Sequence, residues 1–354
     1  MSAFFSILRK LQPLIAVLLG LSLGLAVTML AGEDPFNVLM ILGRSAFGSP
    51  YDFGMTLFYA TPLIFTGLAV AVPFHAGLFN IGAEGQLTMG ALAAATVGIM
   101  FPSVSWPLAP LLGVLAAFSG GALWGFIPGW LRAKRGSHEV INTIMLNFVA
   151  AGLASWVTLY LLKNPDSQNP ETSAVGPGYL LRHFEFFGDA PLSTALLLAI
   201  AAALAIWVFL FKTVKGFELR AVGQSERAAE TGGISAARER ILAMALGGGL
   251  AGLVGIGEVL GNAGRFKLGF SPEFGFIGIA VALLARNRPI GILLSALLFG
   301  ALHKGASDLD LETENVTRDL SLILQSLIIV SVTAEGLWDW MRKRNVQPRI
   351  GGDV

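Results

Sequence analysis

Cysteine is absent from all 354 residues, and charge is scarce. The first absence excludes disulfides, thiolate nucleophiles and cysteine-held metals. Asp, Glu, Lys and Arg make up 13% of the chain against 54% hydrophobic residues. Soluble domains carry about 25% charge, so an ordinary soluble domain is excluded. Histidine occurs only at His75, His138, His183 and His303, with no HExxH pair, so each reads as a polar or interfacial side chain rather than a zinc ligand. No GxxxxGK[ST] run is present, so the chain does not hydrolyse ATP through a P-loop, and no GxSxG elbow is present either. An intramembrane enzyme is therefore a poor reading, and the net charge of +1 gives no case for nucleic acid.

Long apolar runs are abundant, and the mean hydropathy is +0.69. The stretch from Gly85 to Leu131 holds 47 residues without Asp, Glu, Lys or Arg, enough for two crossings folded at FPSVSWP. Other uncharged runs are Leu11–Gly32, Phe53–Ala83, Val140–Leu162 and Ala190–Phe211, then the shorter Ile241–Gly257, Phe274–Ala285, Pro289–His303 and Leu320–Ala334. A helix needs about 20 residues to cross roughly 30 Å of hydrocarbon. The run Phe274–Ala285, with 12 residues, must extend back through Leu268–Glu273 or be a broken segment. The expected fold is all-α: one polytopic membrane domain over 1–354, a helix bundle with about ten transmembrane helices and broken or re-entrant segments. The first run is read as an uncleaved anchor helix rather than a secretory signal.

Basic residues mark the cytoplasmic ends of spans. With both termini inside, the inner segments hold Arg9 and Lys10, three basic residues in RAKRGS, six between Lys212 and Arg240, two in ARNRP and four after Trp340. The outer segments AGEDPF and SDLDLETENVTRD are acidic, which agrees. The outer insertion Lys163–Asp189 is rich in turn formers and ends in YLLRHFEFF, which suggests a short interfacial helix. In the inner insertion, 212–240, Glu226 to Glu230 suits a short helix ended by Gly232 and Gly233, with Ser235 placed to cap the next. FTGLAVAV and FIGIAVAL form a weak internal echo of the kind left by duplicated halves.

Polar groups inside an apolar chain need partners, because an unsatisfied amide or carboxylate in hydrocarbon costs several kcal/mol. Three sets qualify. In FNIGAEGQ, Asn80, Glu84 and Gln86 follow Pro73 and Gly77 in a run too long for one crossing and too short for two. That combination predicts a helix followed by a broken or re-entrant piece, and a place suited to a polar solute. The alternative is that Glu84 sits at a cytoplasmic helix end and favours the next helix through its dipole. In SHEVINTIMLNF, Glu139 and Asn142 share a helix face and Asn147 follows, with interhelical hydrogen bonding as the alternative. In GIGEVLGNAGRF, Glu258 and Asn262 lie a turn apart, after a GGGLAGLVGIG stretch that reads as close helix packing. The three sets are expected to line one cavity.

The inner loop carries a resemblance. GFELRAVGQSERAAETGGIS resembles the cytoplasmic coupling segment of ABC-importer permeases serving simple sugars, nucleosides and branched-chain amino acids. FNIGAEGQLTMGA and HEVINTIMLNF resemble the subgroup associated with basic-membrane-protein-type binding lipoproteins, whose usual substrates are nucleosides. The similarity runs from about Pro62 to Arg342. The loop lacks the proline-terminated form found in the classical importers.

The resemblance implies a permease subunit in a bacterial-type plasma membrane. Its partners would be ABC ATPase subunits that bind and hydrolyse ATP, a second permease subunit, identical or homologous, and an extracytoplasmic solute-binding protein. The chain itself would hold no cofactor. The cargo implied is a small polar solute, a nucleoside or simple sugar. Carried onto matching positions, the ATPase-coupling role falls on Gly216, Glu218, Arg220, Ala221, Gly223, Ala228, Ala229, Gly232 and Ile234. Small residues there let a short helix seat in a groove, and Glu218 and Arg220 are available to pair across it. The competing class is a stand-alone ion-coupled carrier, for which Glu84, Glu139 and Glu258 are the membrane-embedded acids.

Overall fold

The computed structural model describes residues 2–317 and 319–333. The four basic residues after Trp340, Ala334 at the end of the last apolar run, and the similarity near Arg342 lie outside them. The helices in chain order are α1 (Ser2–Leu30), α2 (Pro35–Phe47), α3 (Pro50–His75), α4 (Ala83–Met100), α5 (Leu108–Arg135), α6 (Glu139–Trp156) and α7 (Ala195–Lys212). Then come α8 (Val214–Gln224), α9 (Glu226–Thr231), α10 (Ala236–Gly252), α11 (Phe274–Leu284), α12 (Pro289–Ser307), α13 (Leu309–Glu312) and α14 (Leu320–Thr333). Among the described residues there is no strand, only isolated bridges such as Glu171 with Lys267. The fold is a helical membrane bundle.

Among the described residues two compact units are distinguishable: 2–41 together with 306–333, and Leu42–Gly305. In the first, α1 packs on α14 through Gly20 against Ile328 and Gly24 against Leu324. Glu33 accepts hydrogen bonds from the backbone N–H groups of Glu314 and Asn315, both at 3.0 Å.

In the second unit, local sequence sets the helix ends. Ser49 caps α3, its Oγ accepting from Asp52 N (3.1 Å) and donating to the Asp52 carboxylate (2.6 Å), and Pro50 follows where its missing N–H costs nothing. Helix α5 ends at Gly136, φ +65°, after Arg132, Lys134 and Arg135 in its last turn, where cations complement the helix dipole. The expected close packing of GGGLAGLVGIG is present. Helices α5 and α10 touch backbone to backbone, so that a Cβ on Gly252 would overlap the Ala117 carbonyl and lie 3.1 Å from Gly121 Cα. Gly252→Leu should force these helices apart at about 3 kcal/mol or more and remove the monodisperse peak of purified protein. Gly152→Leu, where a Cβ meets nothing within 4 Å, should leave that peak unchanged.

About ten crossings were expected. Among the described residues, six helices have the length and composition to cross: α3, α5, α6 with its wide-turn extension to Leu161, α7, α10 with its extension to Ala263, and α12. The apolar parts of α1, α11 and α14 are shorter, and the polar Glu84 and Gln86 occupy the first turn of the 18-residue α4. Ten crossings are therefore not established. The run Phe274–Ala285 does not extend backward, because Glu273 takes a left-handed conformation (φ +63°) and the chain before it is irregular, so α11 is a short helix of 11 residues. YLLRHFEFF forms no α-helix either, only a tight turn over Glu185–Phe187, following another over Pro177–Tyr179. Helix α2 was not foreseen.

A re-entrant segment at the candidate functional site

After His75 the chain leaves α3 and turns at Gly77 (φ +72°), as the break in the apolar run predicted. It then climbs back alongside α3. The donor logic begins with Pro73, which has no N–H for the carbonyl of Ala69 four residues earlier. Asn80 supplies the missing donor, its Nδ2 reaching Ala69 O at 3.1 Å. The same amide donates to Gln86 Oε1 (2.8 Å), and its Oδ1 accepts from Gln86 Nε2 (3.1 Å) and Gly82 N (3.0 Å). Asn80 and Gln86 are 0% and 1% exposed, so the knot is dry and fully paired. Asn147 on α6 closes it from the side, donating to Ile81 O (3.0 Å) and accepting from Gly85 N (2.9 Å).

Glu84 lies in the first turn of α4, where the helix dipole favours it. Its Oε2 also accepts from Gly275 N at 2.8 Å, in the first turn of α11, and Ser271 bonds the same carboxylate. Gly278, one turn further along α11, packs on Thr66, so this junction lies alongside the body of α3 and not at its His75 end. Two helix N-termini converge on one carboxylate. Glu84 thus bonds the first turn of α11, while to its own helix it contributes charge without a cap hydrogen bond, and nothing in the sequence marked Gly275 N–H or Ser271 as its partners.

The second polar set divides. Asn147 joins the knot, whereas Glu139 pairs with Arg132 of α5 (3.3 Å) and Asn142 donates to Ser137 Oγ (2.7 Å), just before α6 begins. The third set stands apart on the wide turns Ile256–Ala263, where Asn262 bonds Glu258. Glu258 lines a cavity of about 10 Å³ with Thr61, Ser193, Phe58 and Phe65, and none of the first two sets reaches it. That is room for roughly one water. Of the three sets, only Glu258 lines this cavity.

The 212–240 insertion, expected inside and called the inner loop, forms two helices, α8 and α9. Ser225 caps α9 through Ala228 N (3.4 Å), Gly232 and Gly233 end it as expected, and Ser235 stands before α10 without a side-chain cap. Val222, Ala229 and Ala236 make a small core, flanked by Ala221 and Ile234, while Ala228 stays exposed. Gly216 lies against the carbonyls of Phe209 and Leu210 at the end of α7. Glu218 pairs with Lys215 (2.6 Å), and Arg220 stacks over the Phe211 ring at 5.1 Å. A bidentate Arg240–Glu226 pair (2.7 and 2.9 Å) ties α9 to α10.

The chain is 36% identical over 323 residues to the guanosine ABC transporter permease protein of Bacillus subtilis, covering 90% of this chain and 92% of that one. It is 38% identical over 305 residues to the nucleoside ABC transporter permease protein of Lactococcus lactis subsp. cremoris, 84% of each chain. With the glucose ABC transporter permease protein of Haloferax volcanii it shares 36% identity over 352 residues, 97% of this chain and 92% of that one. The family described as branched-chain amino acid transport system / permease component matches residues 53–333, which hold the re-entrant segment, the α11 junction and the inner loop. The chain belongs to that family of transport-system permease components.

Proposed function

We propose that this chain is the permease subunit of an ATP-binding-cassette importer and forms the translocation pathway for a nucleoside or a simple sugar. The observation that carries the reading is the pairing of two features in one unit: a re-entrant segment held by a dry amide knot, and a compact α8–α9 element built on small residues. Irregular backbone at depth persists only where protein or a polar path surrounds it. The names of three relatives that align over most of their length, for guanosine, nucleosides and glucose, support the class of cargo.

In this reading Asn80, Glu84, Gln86 and Asn147 shape the pathway wall, with Glu139, Asn142, Glu258 and Asn262 contributing around it. The segment from Gly216 to Ile234 docks one of the two ATPase subunits, which bind and hydrolyse the ATP. A second permease subunit completes the pore and an extracytoplasmic binding protein delivers the solute. The chain sits in the plasma membrane with both termini inside. ATP-driven movement of the ATPase pair shifts the inner loop and alternates access, since a change of state needs a difference in contact free energy between the two states.

The test is uptake of radiolabelled guanosine and glucose in cells that carry or lack the chain, with and without the co-expressed ATPase. Uptake should need both proteins and survive collapse of the proton and sodium gradients. Uptake that persists without the ATPase and vanishes with the gradients would replace this reading with the ion-coupled carrier.

A further inference from the structure

The inner loop and the re-entrant segment meet at one point. Gly223, at the end of α8, lies so close to the turn after α3 that a Cβ there would overlap the His75 carbonyl oxygen and stand 2.9 Å from Gly77 N. Gly77 in turn holds a left-handed φ of +72°. The contact is therefore backbone on backbone, with no side chain whose rotamers could absorb a displacement.

His75 extends the same point to two further elements. Its ring packs edge-on against Phe211 of α7, with centroids 5.8 Å apart and planes at 90°, and Phe211 carries the Arg220 guanidinium of α8 on its other contact. Its Nε2 donates to the carbonyl of Asn287 at 3.0 Å, in the turn between α11 and α12. Arg286 and Asn287 both adopt positive φ (53° and 56°), so this turn has a fixed shape. From Gly77 the chain passes directly into the knot of Asn80 and on to the Glu84–Gly275 junction. Both ends of α11 are thereby tied to one short stretch: its first turn through Glu84, the turn after it through His75.

We infer that His75, Gly77 and Gly223 form a joint that hands movement of α8 to the re-entrant segment and to α11. This rests on the importer reading. These are positioning residues, and their contribution is to how much solute moves for each ATP consumed. Gly77 and Gly223 are exposed, and the joint works by direct contact: backbone atoms already touching cannot approach further, so a displacement of α8 toward the turn is passed on.

The test uses the assembled transporter, with its ATPase and partner subunits, in proteoliposomes, and measures ATP hydrolysis and guanosine uptake together. Gly223→Ala should wedge the joint, and His75→Ala should free it from α7 and from the α11–α12 turn. In both variants uptake per ATP hydrolysed should fall by roughly ten-fold while hydrolysis continues. Gly152→Ala, in open space on α6, should match the unaltered chain. Where Gly223→Ala fails to fold, His75→Ala carries the test. An unchanged ratio in His75→Ala, including a proportional fall of both rates, overturns the inference. Absence of ATP hydrolysis in the unaltered complex overturns the importer reading instead.

Discussion

Asn80→Ala is expected to destabilise the folded permease by about 3–5 kcal/mol, a large share of the stability of a typical domain. The change strips partners from four groups at once: the Ala69 carbonyl, Gly82 N–H, and both ends of the Gln86 amide. Each buried orphan costs about 1–3 kcal/mol, and partial relaxation keeps the sum below the maximum. The Ala69 carbonyl has no fallback, because Pro73 cannot donate to it. Asn80→Asp is the sharper variant. Its carboxylate keeps the bond from Gly82 N but faces the Ala69 and Gln86 oxygens with no proton to give, so it should destabilise as much as alanine despite its near-identical shape. Thermal unfolding of the detergent-purified protein measures both. A loss under 1 kcal/mol for either would show that the knot does not hold the segment.

The second large effect is expected at Glu84. Two helix N-termini, those of α4 and α11, present partial positive charge to its carboxylate, which also accepts the Gly275 N–H at 2.8 Å. Glu84→Gln keeps an acceptor and loses the charge, which should cost about 1–2 kcal/mol and lower uptake several-fold. Glu84→Lys reverses the charge against both termini. It should reduce uptake by roughly a hundred-fold or more, because the lysine repels the ends of both helices and leaves Gly275 N–H unbonded. The order Glu, Gln, Lys in uptake at equal protein level is the result that matters. If Gln and Lys were both equivalent to Glu, the junction would have no part in transport.

Much of this was legible in the residues, for reasons that differ by element. The membrane bundle follows from charge-free runs long enough to cross hydrocarbon, a signal carried by many positions at once. The break after His75 was legible because proline and glycine weaken helix continuity at places the sequence names. Gly232 and Gly233 announced the end of α9 in the same way. Partners were harder. Nothing in the chain says that Asn80 repairs the bond Pro73 removes, because that requires knowing that residues 78–82 climb back along α3. The Glu84 junction was hidden for another reason: Gly275 contributes only a backbone N–H, which any residue type carries. Glu139 and Asn142 share a helix face as their spacing implied, yet a face holds several neighbours, and Arg132 and Ser137 were the nearer ones. Helix α2 escaped notice because its 13 residues mix apolar positions with Asn37, Arg44 and Ser45. That pattern reads equally well as a polar connector.

Because the chain has no native cysteine, an introduced thiol is the only one it carries, and labelling is read on this chain after the subunits are separated. Phe79 is half-buried in the re-entrant segment, between the joint at Gly77 and the knot at Asn80. The direct measurement is the rate at which a charged, membrane-impermeant thiol reagent modifies Phe79→Cys in the assembled transporter, with and without ATP, and with guanosine or glucose present. A segment that lines the pathway and moves with the inner loop should react at rates differing by roughly ten-fold between nucleotide states, and the transported solute should slow the reaction. Equal rates in every condition would contradict that account.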